Sequence, residues 1–243
     1  MERPRTILKQ SFFFRRLRGF LRKVKRRPKI VDQNAESIKG PAIFIANHSG
    51  AAGPMDLSIF FPYPFVPWGA HEMRGNYKMR WKYSYHVFYR QKLKYSKVRS
   101  FILATFLAAV NAFLYKNMHL IPTYQDIRFT KSLRDSVAYL EDGIPILIFP
   151  EDSTDGYDDQ IKKFNGGIVV LADYLYKHRR INIPIYPVYY SKSKGVIEIG
   201  KPEYFGRLVA RGYTREEIAD ILRVILNNLG VKITETETKT ETE

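Results

Sequence analysis

One histidine stands where an α/β protein could place a general base. His48 lies in the segment Asn47-His48-Ser49-Gly50, directly after the apolar run at 41–47, which predicts a buried strand. Open α/β sheets bind ligands beyond the carboxyl ends of their strands. The small residues after His48 would let a substrate come close to the backbone. We therefore interpret His48 as a candidate base, with a structural loop histidine as the alternative.

A carboxylate follows His48 along the chain. Asp56 opens a predicted helical turn that runs to Phe61. An Asp beside a His orients the imidazole and stabilises its protonated form. We predict that Asp56 does this for His48.

A second polar segment follows another apolar run, at 144–150, which also predicts a buried strand. It contains Glu151, Ser153 and Thr154. One carboxylate and two hydroxyls at a strand end suit hydrogen bonding to a polyol or a lipid headgroup. Taken alone, the segment is better explained as an acidic surface turn.

Short apolar runs alternate with helical patterns over most of the chain. Strands are predicted at 41–47, 64–70, 119–124, 144–150, 183–190 and 196–200, and helices at 129–140, 167–176 and 214–229. Thr214 and Glu217 have the spacing of a capping box. This alternation indicates an α/β fold with a mostly parallel central sheet flanked by helices, and with an N-terminal amphipathic helix.

The first 29 residues carry most of the net positive charge of the chain. They contain twelve Lys/Arg and one acid, a net charge of +11 out of +16 for the 243 residues. Apolar residues recur at three- and four-residue steps from Phe13 to Val24, basic residues fill the gaps, and Pro28 ends the pattern. The pattern predicts an amphipathic helix lying in a membrane interface with anionic lipids. We expect membrane association, at the cytoplasmic face.

Three other interpretations of this basic segment compete with membrane contact. The charges interrupt the apolar region that a secretory signal needs, whereas a mitochondrial transit peptide stays open. A nucleic-acid-binding arm would not require the three phenylalanines at 12–14, and we expect no nucleic acid among the partners.

The composition limits which kinds of core, disulfide and metal site the chain can form. Apolar residues form 45% of the chain, enough for a core, and there is no cysteine for a disulfide or a cysteine-based metal site. His71, His86 and His119 lack metal-ligand spacing, so we expect no metal. The most apolar stretch, 101–115, is short for a membrane span. We expect a buried core helix there, with a re-entrant or interfacial helix as the alternative.

The segments described above occur in the order found in glycerolipid acyltransferases of the lysophosphatidic acid acyltransferase type. Those enzymes carry NHxxxxD, then FPEGTRS, then a V-P-I-x-P-V strand. The segments that resemble the family are Asn47-His48, 120–125, 149–154, 164–167, 183–188 and 199–202. The ordered set covers about residues 38–205, and the chain resembles this family over that range.

The resemblance implies an O-acyltransferase that moves a fatty acyl chain from acyl-CoA or acyl-carrier protein to a lipid hydroxyl, without other cofactors. It implies that His48 is the general base, that Glu151 helps to hold the acceptor and that Pro187 shapes the acyl-donor side. The expected substrate-binding residues are Asn47, Gln125, Arg128, Glu151, Ser153, Thr154, Lys163, Gly166 and Pro187. The partners are therefore a membrane lipid and an acyl thioester.

The motif around His48 departs from the family pattern. The family's Asp lies five residues after the His, where this chain has Gly53, and Asp56 comes three residues later. Gly50, Gly53 and Pro54 favour turns, so we expect the loop to bulge and Asp56 to reach His48.

Two further departures concern charge near the acceptor. Gln125 stands where an Arg is expected, with Arg128 three residues on, and FPEGTRS has become FPEDSTD, which loses an Arg and adds Asp152 and Asp155. Guanidinium groups match phosphate oxygens, so these changes remove phosphate-binding groups, although Arg128, Lys162 and Lys163 could compensate. We hypothesise that the acceptor is a neutral, glycosylated or phosphodiester lipid rather than lysophosphatidic acid.

The resemblance also suggests a division of the chain. We expect a membrane-interface helix at 1–29, an acyltransferase domain at 30–230 and a disordered polar tail at 231–243. Residues 71–116 exceed what the family places there and predict a helical insertion, either a membrane-interface surface or a lid. The alternative function is a catalytically weak relative that binds lipid as a membrane-associated module.

Overall fold

A mostly parallel sheet forms the centre of the protein. The computed structural model describes residues 8–50, 52–152, 156–157 and 160–240. The strands are β1 (Lys29–Asp32), β2 (Ile43–Ala46), β3 (Val66–Ala70), β4 (Ile121–Thr123), β5 (Ile146–Ile148), β6 (Pro184–Ser191), β7 (Val196–Ile199) and β8 (Glu203–Tyr204). They are ordered β1-β7-β6-β2-β5-β3-β4, and β8 pairs with β6.

The strand directions confirm the predicted fold class. From β6 to β4 all neighbours are parallel, whereas β7 and β8 run antiparallel to β6, and β1 runs parallel to β7. Every residue of β2 and β5 is buried, as expected for parallel strands covered on both faces. The sequence analysis missed β1 and β8 because one is a partly exposed edge strand and the other has two residues.

Helices cover both faces of the sheet. They are α1 (Phe12–Val24), α2 (Ala52–Phe60), α3 (Tyr77–Lys82), α4 (Lys97–Asn117), α5 (Phe129–Glu141), α6 (Gly167–Tyr174), α7 (Phe205–Ala210) and α8 (Arg215–Thr240). Apolar residues of α5, α6 and α8 pack on one face. Residues of α2, together with Leu21 of α1, pack on the other.

The predicted amphipathic helix is α1. The Ser11 hydroxyl accepts a hydrogen bond from the Phe14 backbone N–H at 3.3 Å and caps the helix. Phe14 is buried and its ring lies 6.2 Å from that of Phe113 in α4. The Ser11 N–H also donates to the Asn117 side chain at 2.7 Å. These contacts attach α1 to α4.

The chain between β3 and β4 is mostly helical, and its apolar helix is not buried as we predicted. This stretch contains a short 3-10 turn at His71–Arg74, then α3, a wide-turned π-helical segment at Tyr83–Lys92, and α4. Only Ser100, Ala104, Ala108 and Asn117 of α4 are buried. The first three lie four residues apart on one side of α4, which contacts α3 and the π-helical segment, whereas the large side chains of Phe101, Ile102 and Phe106 are exposed.

The carboxyl-terminal helix begins as predicted and ends later. The Glu217 carboxylate accepts hydrogen bonds from the N–H and the hydroxyl of Thr214 at 2.7 and 2.9 Å, and the Glu217 N–H donates back to that hydroxyl at 3.3 Å. We predicted a disordered tail at 231–243, but α8 continues to Thr240. No proline or glycine follows Gly230, and Ile233 is buried, so nothing interrupts the helix at Leu229.

Candidate active site

The two predicted polar segments meet at one edge of the sheet. His48 follows β2 and Glu151 follows β5, and these strands are parallel neighbours with Ile45 paired to Ile148. Their carboxyl ends therefore lie side by side. Oε2 of Glu151 is 3.5 Å from Nδ1 of His48 and accepts a hydrogen bond from the His48 backbone N–H at 3.3 Å.

The loop that carries His48 is held from both sides. The Asn47 side chain accepts from the Tyr190 N–H at 2.8 Å and donates to the Tyr190 carbonyl at 3.1 Å, which joins the loop to β6. Ser49 and Gly50 have φ angles of 44° and 66°, and the Gly53 N–H donates to the His48 carbonyl at 2.9 Å. His48 thus lies in a tight turn that leads directly into α2.

The backbone around Glu151 is equally constrained. The Asp152 N–H donates to the Lys163 carbonyl at 3.0 Å, and the Asn165 N–H donates to the Pro150 carbonyl at 2.6 Å. Glu151 itself forms an antiparallel bridge with Phe164. Its side chain is only 4% exposed, so the carboxylate is held against His48 rather than in solvent.

The surroundings of His48 favour its neutral form. Burial lowers the pKa of the His48 imidazole below its ordinary value of 6.5, the Glu151 carboxylate opposes this shift, and the Lys92 charge adds to it. The rings of Phe149 and Tyr157 lie 4.8 and 5.0 Å from the imidazole. A neutral imidazole near pH 7 can accept a proton, as a general base must.

A large groove opens beside His48. Its volume is about 1500 Å³. Five of the predicted site residues line it: His48, Gln125, Arg128, Glu151 and Gly166. The groove runs past the carboxyl ends of the parallel strands and is large enough for a lipid-sized ligand.

The prediction that Asp56 orients His48 is not supported by the geometry. Asp56 is buried in α2, where Oδ2 accepts from the Tyr190 hydroxyl at 2.6 Å and Oδ1 pairs with the Lys25 ammonium. The Gly53 N–H donates to the His48 carbonyl, so the chain has already turned back onto His48 before it reaches Asp56. Asp56 therefore faces β6 and α1, and the carboxylate beside His48 is Glu151.

Other predicted substrate-binding residues lie apart from the groove. Asn47 is buried and bonded to Tyr190, as described above. Pro187 is buried within β6, paired with Ile45 of β2. Lys163 is exposed, and its backbone carbonyl accepts from the segment that carries Glu151. Ser153 and Thr154 lie outside the described residues.

The sequence analysis missed groove residues that come from the helical stretch. Tyr83 and Lys92 of the π-helical segment line the groove. The Lys92 ammonium lies 5.8 Å from the centre of the Tyr157 ring. Sequence showed this stretch to be rich in Tyr and Lys, but nothing in its spacing indicated which residues turn toward His48.

Arg128, predicted to bind the acceptor, lines the groove but is already paired with a carboxylate. Its guanidinium donates to both oxygens of Asp126 at 2.6 to 3.0 Å and lies 4.6 Å from the Tyr124 ring centre.

Within the described ranges, no group of three or more His, Cys, Asp or Glu residues could hold a metal ion. The chemistry that these side chains themselves offer is proton transfer by His48.

Comparison with known proteins identifies the fold. No protein-family model and no curated protein sequence matches the chain. The chain is similar to the crystal structure of the 1-acyl-sn-glycerophosphate (LPA) acyltransferase PlsC from Thermotoga maritima, with a TM-score of 0.52 and 15% sequence identity. The match covers 91% of this chain and 77% of the other. The chain therefore has the α/β fold of that acyltransferase structure.

Proposed function

We propose that this protein is a membrane-associated O-acyltransferase that moves a fatty acyl chain from an acyl thioester to a lipid hydroxyl. The observation that carries the proposal is the position of His48. It lies half-buried beside the buried Glu151 carboxylate at the carboxyl ends of two parallel strands, with a lowered pKa, and it opens on a groove of about 1500 Å³. The similarity in fold to an LPA acyltransferase supports the same reaction class.

The proposed transfer has two steps. Nε2 of His48 takes the proton of the acceptor hydroxyl while the acceptor oxygen bonds to the thioester carbonyl carbon. The resulting tetrahedral intermediate expels the thiolate as the C–S bond breaks, and the imidazolium returns the proton to sulfur. The products are an ester and a free thiol, on CoA or on a carrier protein. A positioned base contributes on the order of 10²–10⁴-fold to such a step.

Charge in the groove favours an acceptor other than lysophosphatidic acid. Gln125 takes the place of an expected arginine, and Arg128 is committed to Asp126. Asp152, absent from the related motif, also lines the groove, near Lys92. A phosphomonoester would meet Gln125 where the family pattern provides an arginine, together with Asp152, although Lys92 and Lys162 also line the groove. We propose a neutral, glycosylated or phosphodiester lipid as the acceptor.

Exposed apolar side chains support membrane association. One helix, α4, is long and apolar enough to cross a membrane among the residues described. Its large residues Phe101, Ile102 and Phe106 are more than half exposed. Phe12 and Phe13 of α1, which packs against α4, are exposed as well. An apolar surface of this kind on a basic protein fits the headgroup boundary of an anionic bilayer.

The experiment is an acceptor panel. Purified protein on vesicles would receive labelled acyl-CoA, and separately labelled acyl-carrier protein, with lysophosphatidic acid, lysophosphodiester lipids and glycolipids. We expect a labelled ester with a neutral, glycosylated or phosphodiester acceptor. Preferential acylation of lysophosphatidic acid would contradict the proposed acceptor class. If no ester forms with either donor while vesicle binding is intact, the proposal that the protein is an acyltransferase is contradicted.

A second candidate function rests on Gly53. This residue stands where the related motif has its Asp, which is the change expected of a relative that retains the fold and binds lipid without catalysis. Such a module would bind vesicles and acylate nothing on the panel.

A further inference from the structure

The position that the related motif reserves for an aspartate is closed in this protein. A Cβ atom at Gly53 would lie 2.1 Å from the His48 carbonyl oxygen and 2.8 Å from the carbonyl carbon. Both atoms are backbone, so neither can move aside as a flexible side chain would. The loop therefore excludes every side chain at position 53, and no carboxylate can orient His48 from there.

The next carboxylate along the chain is already occupied. Asp56 pairs through one oxygen with Lys25 and accepts through the other from the Tyr190 hydroxyl. Breaking these contacts to reach His48 would leave a buried hydroxyl without an acceptor. Asp56 thus stabilises the packing of α2 on β6 and on the end of α1.

Glu151 remains as the carboxylate in contact with His48. One oxygen, Oε2, contacts both Nδ1 of the ring and the backbone N–H of His48, at 3.5 and 3.3 Å. Nδ1 is buried and, among the described residues, makes no hydrogen bond of good geometry. Catalytic hydrogen bonds are often long before substrate binds and shorten afterwards.

We infer that Glu151 is the positioning residue of His48: its carboxylate keeps the proton on Nδ1, so that Nε2 faces the acceptor with a free lone pair, and it stabilises the imidazolium. This inference rests on the proposed function and deepens it. It reassigns Glu151, which the family resemblance places on the acceptor. The antiparallel bridge to Phe164 holds the carboxylate in place for this role.

Several charged or ionisable groups surround the imidazole and must be considered together. Lys92 approaches from the π-helical segment, Tyr157 from the loop after Glu151, and Asp152 lies near Lys92. Lys92 disfavours the imidazolium and Glu151 favours it. Removal of the Glu151 charge alone would leave Lys92 to act on His48.

The first test measures the tautomer of His48 in the wild-type protein, without substrate. Nitrogen chemical shifts of ¹⁵N-histidine-labelled protein in detergent micelles, assigned by the signal that His48→Ala removes, report which ring nitrogen carries the proton. We expect protonated Nδ1 at a pH above the His48 pKa. Protonated Nε2 would overturn the inference, and the measurement needs no folding of a Glu151 variant.

The second test uses Glu151→Gln with Asp56→Asn as the matched buried-carboxylate control. We expect Glu151→Gln to lower the titration midpoint of His48 and to reduce kcat by about 10²–10⁴-fold with little change in acceptor KM. Asp56→Asn should leave the midpoint in place. An unchanged midpoint with a raised acceptor KM in Glu151→Gln would return Glu151 to acceptor binding. Because the titration needs no turnover, loss of the proposed function would appear separately, as inactive wild-type protein.

Discussion

A single oxygen of Glu151 contacts His48 twice, at the ring nitrogen Nδ1 and at the backbone N–H. The contact exists because β2 and β5 are parallel neighbours that end together, so that the residues following them meet. It joins two segments that are 103 residues apart in sequence. The contact between Glu151 and His48 is therefore built by the sheet and not by the local spacing around His48.

The pH dependence of turnover should follow the lowered pKa of His48. In the proposed mechanism the neutral form of His48 is the base, and burial lowers the pKa of its imidazole below the ordinary value of 6.5. We expect the acid limb of the kcat/KM profile to have its midpoint below 6.5. A pH–rate profile of the wild type checks this, and an acid limb with its midpoint above 6.5 would contradict the burial of His48.

The same shift makes a prediction for stability. Between the folded pKa and 6.5 the unfolded chain binds more protons at His48 than the folded chain does, so the free energy of unfolding decreases as pH falls. His48→Ala should remove this part of the slope. Urea unfolding of both proteins between pH 5 and 7.5 measures it, and identical slopes would contradict the prediction.

Substitution of Gly53 should damage the loop. An alanine or aspartate there places Cβ 2.1 Å from the His48 carbonyl oxygen. We expect Gly53→Asp to reduce activity and stability although it restores the family motif, and Gly53→Ala to do the same. Thermal unfolding and acyl transfer check both. Gly19→Ala is the control, because a Cβ atom there would meet nothing within 4 Å. Gly143→Ala is unsuitable as a control, because the φ of 77° at Gly143 would itself strain an alanine. Higher activity in Gly53→Asp would contradict the geometry.

Asn47 should matter for stability more than for binding. Its amide satisfies both backbone groups of Tyr190, and the residue is 2% exposed. Asn47→Ala would leave two buried backbone groups unpaired, at about 1–3 kcal/mol each. Urea unfolding measures the loss. Asn34→Ala, a more exposed amide whose partners water can replace, should change little, and equal effects of the two would contradict the assignment.

The outward face of α4 should control membrane binding. Phe101→Ser and Phe106→Ser each remove an exposed ring, and burial of such a ring in the bilayer is worth about 1.5–3 kcal/mol. Vesicle partitioning should weaken by about tenfold or more for each. Ile127→Ser, at a residue that is 88% exposed and lies outside α4, is the control. Equal partitioning of all variants would contradict membrane contact through α4.

Much of the fold was predictable because apolar residues recur at different spacings in strands and in helices. The apolar runs predicted at 41–47 and 144–150 contain β2 and β5, and His48 and Glu151 follow these strands. Pro187 lies within β6, the neighbour of β2 on its other side. The direction in which individual side chains point was not predictable from the sequence. Spacing alone could not reveal that Asp56 faces Tyr190 rather than His48. The same applies to α4, whose fully buried residues are small or polar, while Phe101, Ile102 and Phe106 are exposed.

The residues near His48 that the sequence analysis missed were unpredictable for one shared physical reason. Lys92 reaches the groove from a wide-turned helix, whose side-chain period differs from that of an α-helix. The contact of Tyr157 with the imidazole depends on a loop that no periodicity describes. Both follow from tertiary packing that a single sequence does not display.

The most direct measurement of the central claim is single-turnover acyl transfer on vesicles by the wild type and by His48→Ala. His178→Ala, at an exposed histidine outside the groove, serves as the matched control. The account predicts that His48→Ala loses about 10²–10⁴-fold in rate with unchanged vesicle binding, while His178→Ala keeps the wild-type rate. Transfer by His48→Ala at the wild-type rate would contradict the assignment of His48 as the base.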